Sequence, residues 1–281
     1  MMNYNNNNTY SVYNIAELNE KLNSFQNINN ETDAFFKNFS FEKNVLNNQM
    51  AKGNSSQVFN KIIKEDTTKA KIINYLNKLS QNNLSKIVNL IREIVFQTTD
   101  ELNELVYQCI KKIKLEKDEI RPLVAALCWE FMSLYFVTSD NEKIYFRKLL
   151  LTEVKKEYLS SISFDTNEWT KDKADKVMIL IGTLYNGKII EEKVMVSIIN
   201  DLKNYITFKH DETQEYYEKV EKSIQLLSCL ISSVVLNVDS KLMFGELDKF
   251  LQKQISEYEE AKCISKKIRL VAKNIIYELT K

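Results

Sequence analysis

The chain has 281 residues and a formal net charge of +1, from 39 Lys and Arg against 38 Asp and Glu. It holds only 4 Gly and 1 Pro. That is too few for a sandwich, a barrel or a doubly wound sheet, whose tight turns recur about every ten residues. Gly53, Gly182, Gly187 and Gly245 are too far apart for a phosphate-cradling loop, and a near-zero charge implies no dominant nucleic-acid field. The 44% hydrophobic and 11% aromatic content implies that most of the chain packs. An all-α fold is what remains.

Residues 1–57 stand apart, because 15 of the 30 Asn fall in the first fifty residues. Such a segment buries too little apolar surface to offset its ordering entropy. It is expected to be a mostly irregular, Asn-rich N-terminal segment, flexible or partner-docking. Leu18, Leu22 and Phe25 recur at i, i+4, i+7 inside it, and Phe35, Phe36, Phe39 and Phe41 form an aromatic cluster. Met1 to Tyr10 has neither a basic region nor an apolar core, so no signal peptide is expected and the localisation reads as cytoplasmic.

From about residue 58 the pattern is helical. Ile72, Ile73, Leu76 and Leu79 share one face. Ser80 to Asn83 breaks it, and Leu84, Ile87, Val88, Ile91, Ile94 and Val95 resume on a second helix. Asp100 precedes a third apolar face of Leu102, Leu105, Val106, Cys109, Ile110 and Ile113. Pro122 is tolerated only near a helix start, so the next helix begins near Asp118 and runs through Leu127 and Phe131. Helices then follow over Ile144–Tyr158 and Glu168–Tyr185, with Asn186-Gly187 as a C-cap signal. Four more cover about 189–206, 213–235, 240–257 and 261–279.

Roughly ten helices in pairs spaced by about 40 residues match a HEAT-type array. The expectation for 58–281 is an α-solenoid of about five HEAT-like helix pairs. The run Leu226–Val238 is too short and too polar to cross a membrane. Cys109, Cys128, Cys229 and Cys263 are far apart and read as buried thiols. The single His210 lies in a polar stretch, so neither a metal site nor a catalytic constellation can be assembled, and neither an enzyme nor a cofactor is expected. Trp129 and Trp169 read as core or inter-repeat packing.

Five segments then occur in the order and spacing of a known family. Phe146 to Leu151 with Lys155 to Tyr158 resembles that family's "FRKLLL…QKEF". Leu76 to Ser80 resembles "LNKLT", and Leu123 to Cys128 resembles "YANLC". Ile181 to Tyr185 followed by Ile189-Ile190 resembles "FIGELF" with "ML". Ser265 to Leu270, then Ile275 and Leu279, resembles the closing "SSRIRF…DVLDL". Together they resemble the middle domain of eukaryotic translation initiation factor four-gamma, a MIF4G-type HEAT-repeat domain, over residues 58–280.

The resemblance implies a translation initiation scaffold. Its partner would be a four-A-type DEAD-box RNA helicase, whose two lobes it holds in a productive orientation, with mRNA as a further partner. An RNA-processing or mRNA-decay adaptor on the same fold is the alternative. Asn77, Lys78, Arg147, Lys148, Lys267 and Arg269 fall in the matching segments and become candidate helicase contacts. Arg147 reads as a brace between helices at least as well, because Arg makes bidentate contacts that Lys does not. Two basic groups, Lys111, Lys112 and Lys114, then Lys266 and Lys273, are candidate phosphate contacts, with a solvated face as the plain reading. Tyr13 to Leu18 matches most of the family's cap-binding-protein motif, with Tyr13, Leu18 and Leu22 as its contacts, although Asn19 replaces the final hydrophobe.

Overall fold

A computed structural model describes residues 67–164, 167–210, 212–235 and 244–280. The segment 1–57 and its boundary at residue 58 lie outside them. The described residues form ten helices and one hairpin. The helices are α1 (Thr68–Asn77), α2 (Leu84–Arg92), α3 (Thr99–Leu115), α4 (Arg121–Glu130), α5 (Phe146–Ser161), α6 (Lys171–Asn186), α7 (Glu192–Ile206), α8 (Gln214–Ser233), α9 (Leu247–Ala261) and α10 (Lys266–Thr280). The fold is the all-α solenoid of helix pairs that the periodicity implies.

Four helices start at a threonine. The Thr67, Thr98, Thr170 and Thr213 hydroxyls accept from the backbone N–H groups of Ala70, Glu101, Lys173 and Tyr216. Each satisfies a donor that has no partner within its helix. At α3 the Glu101 carboxylate also reaches back to the Gln97 N–H at 2.6 Å. That interaction explains why α2 stops at Arg92 rather than running through Val95. The chain must unwind to reach the next cap, and Val95 is left 78% exposed.

Pro122 sits in the first turn of α4, as expected, but the helix begins at Arg121 rather than near Asp118. Between α4 and α5 lies a feature the helical pattern misses. Strands β1 (Tyr135–Val137) and β2 (Lys143–Tyr145) pair antiparallel, with Tyr135 opposite Tyr145. Their turn uses Asn141 at φ 64° where glycine is usual. Lys188 and Lys262 take left-handed conformations in the same way. The shortage of glycine is met by Asn and Lys, at a local cost of about 1–2 kcal/mol each.

Gly187 therefore does not play the left-handed cap role. Its φ is −77°, and the left-handed residue is the next one, Lys188. Gly187 instead sits at a close helix approach: a Cβ there would lie 3.0 Å from the Ala125 Cβ of α4. Gly182 is tighter still. A Cβ there would meet the Ser233 Oγ at 1.9 Å and its carbonyl carbon at 3.1 Å.

Consecutive helices form five pairs, each odd helix followed by its even partner. The even helices α2, α4, α6, α8 and α10 stack on one another in order. The odd helices α1, α3 and α5 pack in a second row, which α7 and α9 continue through side-chain bonds. The core lies between the rows, with Ile72, Leu105, Leu127, Leu150, Met178, Leu227 and Leu251 buried. No described helix is long and apolar enough to cross a membrane.

Candidate functional site

Side-chain bonds show how the odd row is oriented. Lys69 and Asn77, at the two ends of α1, bond Glu104 and Lys112, near the corresponding ends of α3. Arg147 and Tyr158 of α5 reach Glu191 and Asp201, at the start and late in α7. Tyr258 of α9 donates to the carbonyl of Ile206, the last residue of α7. The odd helices therefore run parallel. The loops that follow them line one edge of the solenoid, and the loops that precede them line the other.

The candidate residues divide between these edges. Asn77, Lys78, Lys112 and Lys114 gather on the first edge, in the first two pairs. Asn77 and Lys78 are exposed, and the Lys78 carbonyl accepts from the Asn83 amide at 2.6 Å. Lys111 is exposed, with its ammonium 5.9 Å from the Tyr107 ring centroid. Lys112 donates to Asn77 at 3.4 Å and pairs with Glu116 at 2.9 Å. Lys114 bonds both oxygens of Glu157 at 2.9 Å, tying α3 to α5. Lys266 and Lys267, both exposed, lie at the far end of the same edge, where α10 begins.

Arg147 and Lys148 begin α5 on the opposite edge. Arg147 is buried, 8% exposed, and its Nη2 bonds Glu191 Oε1 at 2.9 Å. That is the bracing arrangement, because a guanidinium this enclosed offers little to a partner. Lys148 is exposed. Arg269 and Lys273 share the Glu259 carboxylate, at 3.7 and 3.0 Å. Tyr13, Leu18 and Leu22 lie outside the described residues.

The face of the even row holds a feature that the sequence reading misplaces. Trp129 is not core: it is 51% exposed. It stands on the wall of a groove of about 710 Å³ lined by α4, α6 and α8, with Pro122, Ala126, Ile179 and Ser232 among its residues. The helical phase contained the signal. Val124, Leu127, Cys128 and Phe131 form the buried stripe of α4, and Trp129 lies off it. Small residues, Ala125, Gly187 and Ser233, let the helices approach closely and leave the groove between their outer surfaces. Arg92 holds one rim, donating to the Glu130 carbonyl at 2.8 Å and carboxylate at 2.9 Å. Asn186 holds another, donating to Ser233 O at 2.9 Å and accepting from the Val235 N–H at 3.0 Å.

Cys229 lines the groove and donates to the Asp175 carbonyl at 3.4 Å. Burial first, and then the Asp175 charge, push its thiol up to about 11. It is protonated at neutral pH and a weak nucleophile. Cys229 and Cys263 are half-buried, unlike the enclosed Cys109 and Cys128. Trp169 is half-buried and donates to Ser161 O at 2.7 Å. The described residues hold no cluster of three or more His, Cys, Asp or Glu able to bind a metal. The described residues thus present two loop edges with exposed cations, Lys78 and Lys148 among them, and a groove with an exposed Trp.

No family model matches the chain. It is 22% identical over 286 residues to a eukaryotic translation initiation factor 4G of Cucumis melo, covering 89% of this chain and 14% of that protein. It is 22% identical over 256 residues to the factor of the same name from Triticum aestivum, covering 81% of this chain and 16% of that protein. The chain thus spans only a small part of the curated relatives it matches. Among solved structures, the MIF4G domain of Trypanosoma cruzi translation initiation factor EIF4G5 superposes with a TM-score of 0.43 at 9% identity, covering 76% of this chain and 95% of that one.

Proposed function

From the premise that the chain is an initiation factor 4G-type MIF4G domain, which its curated relatives support, we propose that it is a non-enzymatic scaffold for a four-A-type DEAD-box RNA helicase in translation initiation. The similarity to initiation factor 4G over 89% of the chain carries this reading. A solenoid suits the task, since its exposed edges sit on rigid helices. Lys78 on one edge and Lys148 on the other are exposed and would each offer a cation to a helicase lobe. The scaffold then acts by population shift: better contacts with one lobe arrangement bias the helicase towards it, by no more than the differential affinity. Phosphate chemistry stays with the helicase.

RNA contact through the exposed Lys111, Lys266 and Lys273 is a subsidiary part of the proposal, as is a cap-binding-protein contact through Tyr13, Leu18 and Leu22. Near-zero net charge favours protein clamping over RNA as the main activity. Adding the protein to a four-A-type helicase is expected to raise its RNA-dependent ATPase rate. Lys78→Glu with Lys148→Glu is expected to weaken that effect. No complex and no rate change at about 10 μM protein would overturn the reading. Preferential capture of a splicing or decay helicase would move the protein to RNA processing.

A further inference from the structure

We propose that the groove on the face of the even row receives an amphipathic helix from a partner protein, seated by an uncharged apolar ridge. The groove lies in the middle of the solenoid, walled by α4, α6 and α8, and holds about 710 Å³. Two stripes line it. Pro122, Ala126 and Trp129 recur on α4 at i, i+4 and i+7, and Ile179, Thr183 and Asn186 recur on α6 with the same spacing. Trp129 is 51% exposed there. A large aromatic half in water, beside small residues that leave room for another side chain, is the pattern of a binding anchor.

The distribution of charge selects the occupant. The three helices carry no charged residue over 122–129, 177–186 and 223–233, the stretches that form most of the walls. A helix face turned to solvent normally carries Lys and Glu. The charged residues of the lining stand at its margins: Asp118 pairs with Arg121, Glu130 pairs with Arg92, and Lys188 follows the end of α6. An uncharged trough complements an uncharged ridge. It offers no row of cations to a phosphate backbone, so nucleic acid does not fit. Each stripe runs from i to i+7, about 10 Å or two helical turns. A ridge of Leu, Ile, Phe or Met at i, i+3 or i+4, and i+7 matches that length, whereas an extended peptide would need a sheet edge and these walls are all helix. The inference does not depend on the helicase reading, because Ala126, Trp129 and Ile179 belong to neither loop edge.

The test is selection against the whole chain from a displayed library of helical peptides with random residues at i, i+3, i+4 and i+7. Enriched peptides are expected to carry Leu, Ile, Phe or Met at these positions. A synthetic representative is expected to bind Trp129→Ala about tenfold more weakly. Ala126→Glu puts a charge into the trough and is expected to lose at least as much. Affinity is expected to change less than about twofold between about 50 and 200 mM salt, a range over which phosphate contacts weaken steeply. Lys78→Glu/Lys148→Glu, which tests the helicase reading, is expected to leave peptide binding unchanged. Thermal melts report whether each variant keeps the fold. No enrichment, enrichment of charged residues at the ridge positions, a steep salt dependence, or unchanged binding by both Trp129→Ala and Ala126→Glu overturns the proposal. Binding lost in Lys78→Glu/Lys148→Glu overturns it by moving the peptide to the loop edges. Self-association abolished by Trp129→Ala overturns it by assigning the groove to a second copy. Poly(U) binding abolished by Trp129→Ala, with no apolar peptide selected, assigns the groove to RNA and overturns it as well.

Discussion

Where α6 packs closest on α8 the contact runs through small residues, whereas the odd helices from α5 onward meet through long polar ones. Gly182 lies against Ser233, where α6 packs on α8. Across the odd row, Arg147 spans to Glu191, Tyr158 to Asp201 and Tyr258 to the Ile206 carbonyl. The first kind of contact depends on shape and tolerates almost no change. The second depends on charge and hydrogen bonding, and it responds to pH. A solenoid whose two rows are held differently has one row that sets the packing distance and one that trims it.

The largest effect is expected where shape decides. Gly182→Val is expected to cost about 3 kcal/mol in a denaturant titration, because Ser233 cannot move its backbone carbon away. Ser233→Gly in the same chain should recover part of that loss. If Gly182→Val unfolds at the wild-type midpoint, the even row is not held by this contact. The odd row is expected to be softer. Glu191→Ala leaves the enclosed Arg147 without its carboxylate and is expected to cost about 2 kcal/mol, with Arg147→Met in the double variant recovering part. Tyr158→Phe removes one hydroxyl bond, an expected loss of about 1 kcal/mol.

pH sharpens the comparison further. Burial raises the Asp201 carboxyl above its usual value, and the Tyr158 bond opposes that only in part. A carboxyl raised on folding contributes stability at low pH, and that contribution is lost as the pH climbs through its folded value. Asp201→Asn keeps an acceptor, so its stability relative to wild type is expected to rise between about pH 3 and pH 7. Glu101 has the opposite sign. The Gln97 N–H, and then the Thr68 hydroxyl, hold its carboxyl below the usual value, so its contribution is present at neutral pH and lost as the pH falls through its folded value. Glu101→Gln is expected to cost about 0.5 kcal/mol at pH 7, with the difference vanishing at low pH. Parallel pH profiles for the two variants would contradict these assignments.

Much of the helical layout can be read from the residues. All six apolar residues singled out in α3 are buried. Pro122 marks the first turn of α4. Gly182 sits at a close helix contact, as its interior position suggests. The hairpin could not be read this way, since three-residue strands are too short for an alternating pattern and Asn141 hides the turn. Val95 continues the phase of α2, but the cap of the next helix ends that helix first. The candidate site was legible only in part. Exposed Lys78 and Lys148 could be named from motifs, whereas Trp129 required attention to phase, and the enclosure of Arg147 depends on a partner 44 residues away.

Hydrophobic period, threonine caps and scarce glycine determine by themselves that this chain makes a long series of paired helices, because those signals act within a few residues. Which cations remain exposed and where the rows touch were decided only by the tertiary structure. Those properties come from residues tens of positions apart. Lys114 is taken by Glu157, Arg147 by Glu191, and Lys273 with Arg269 by Glu259.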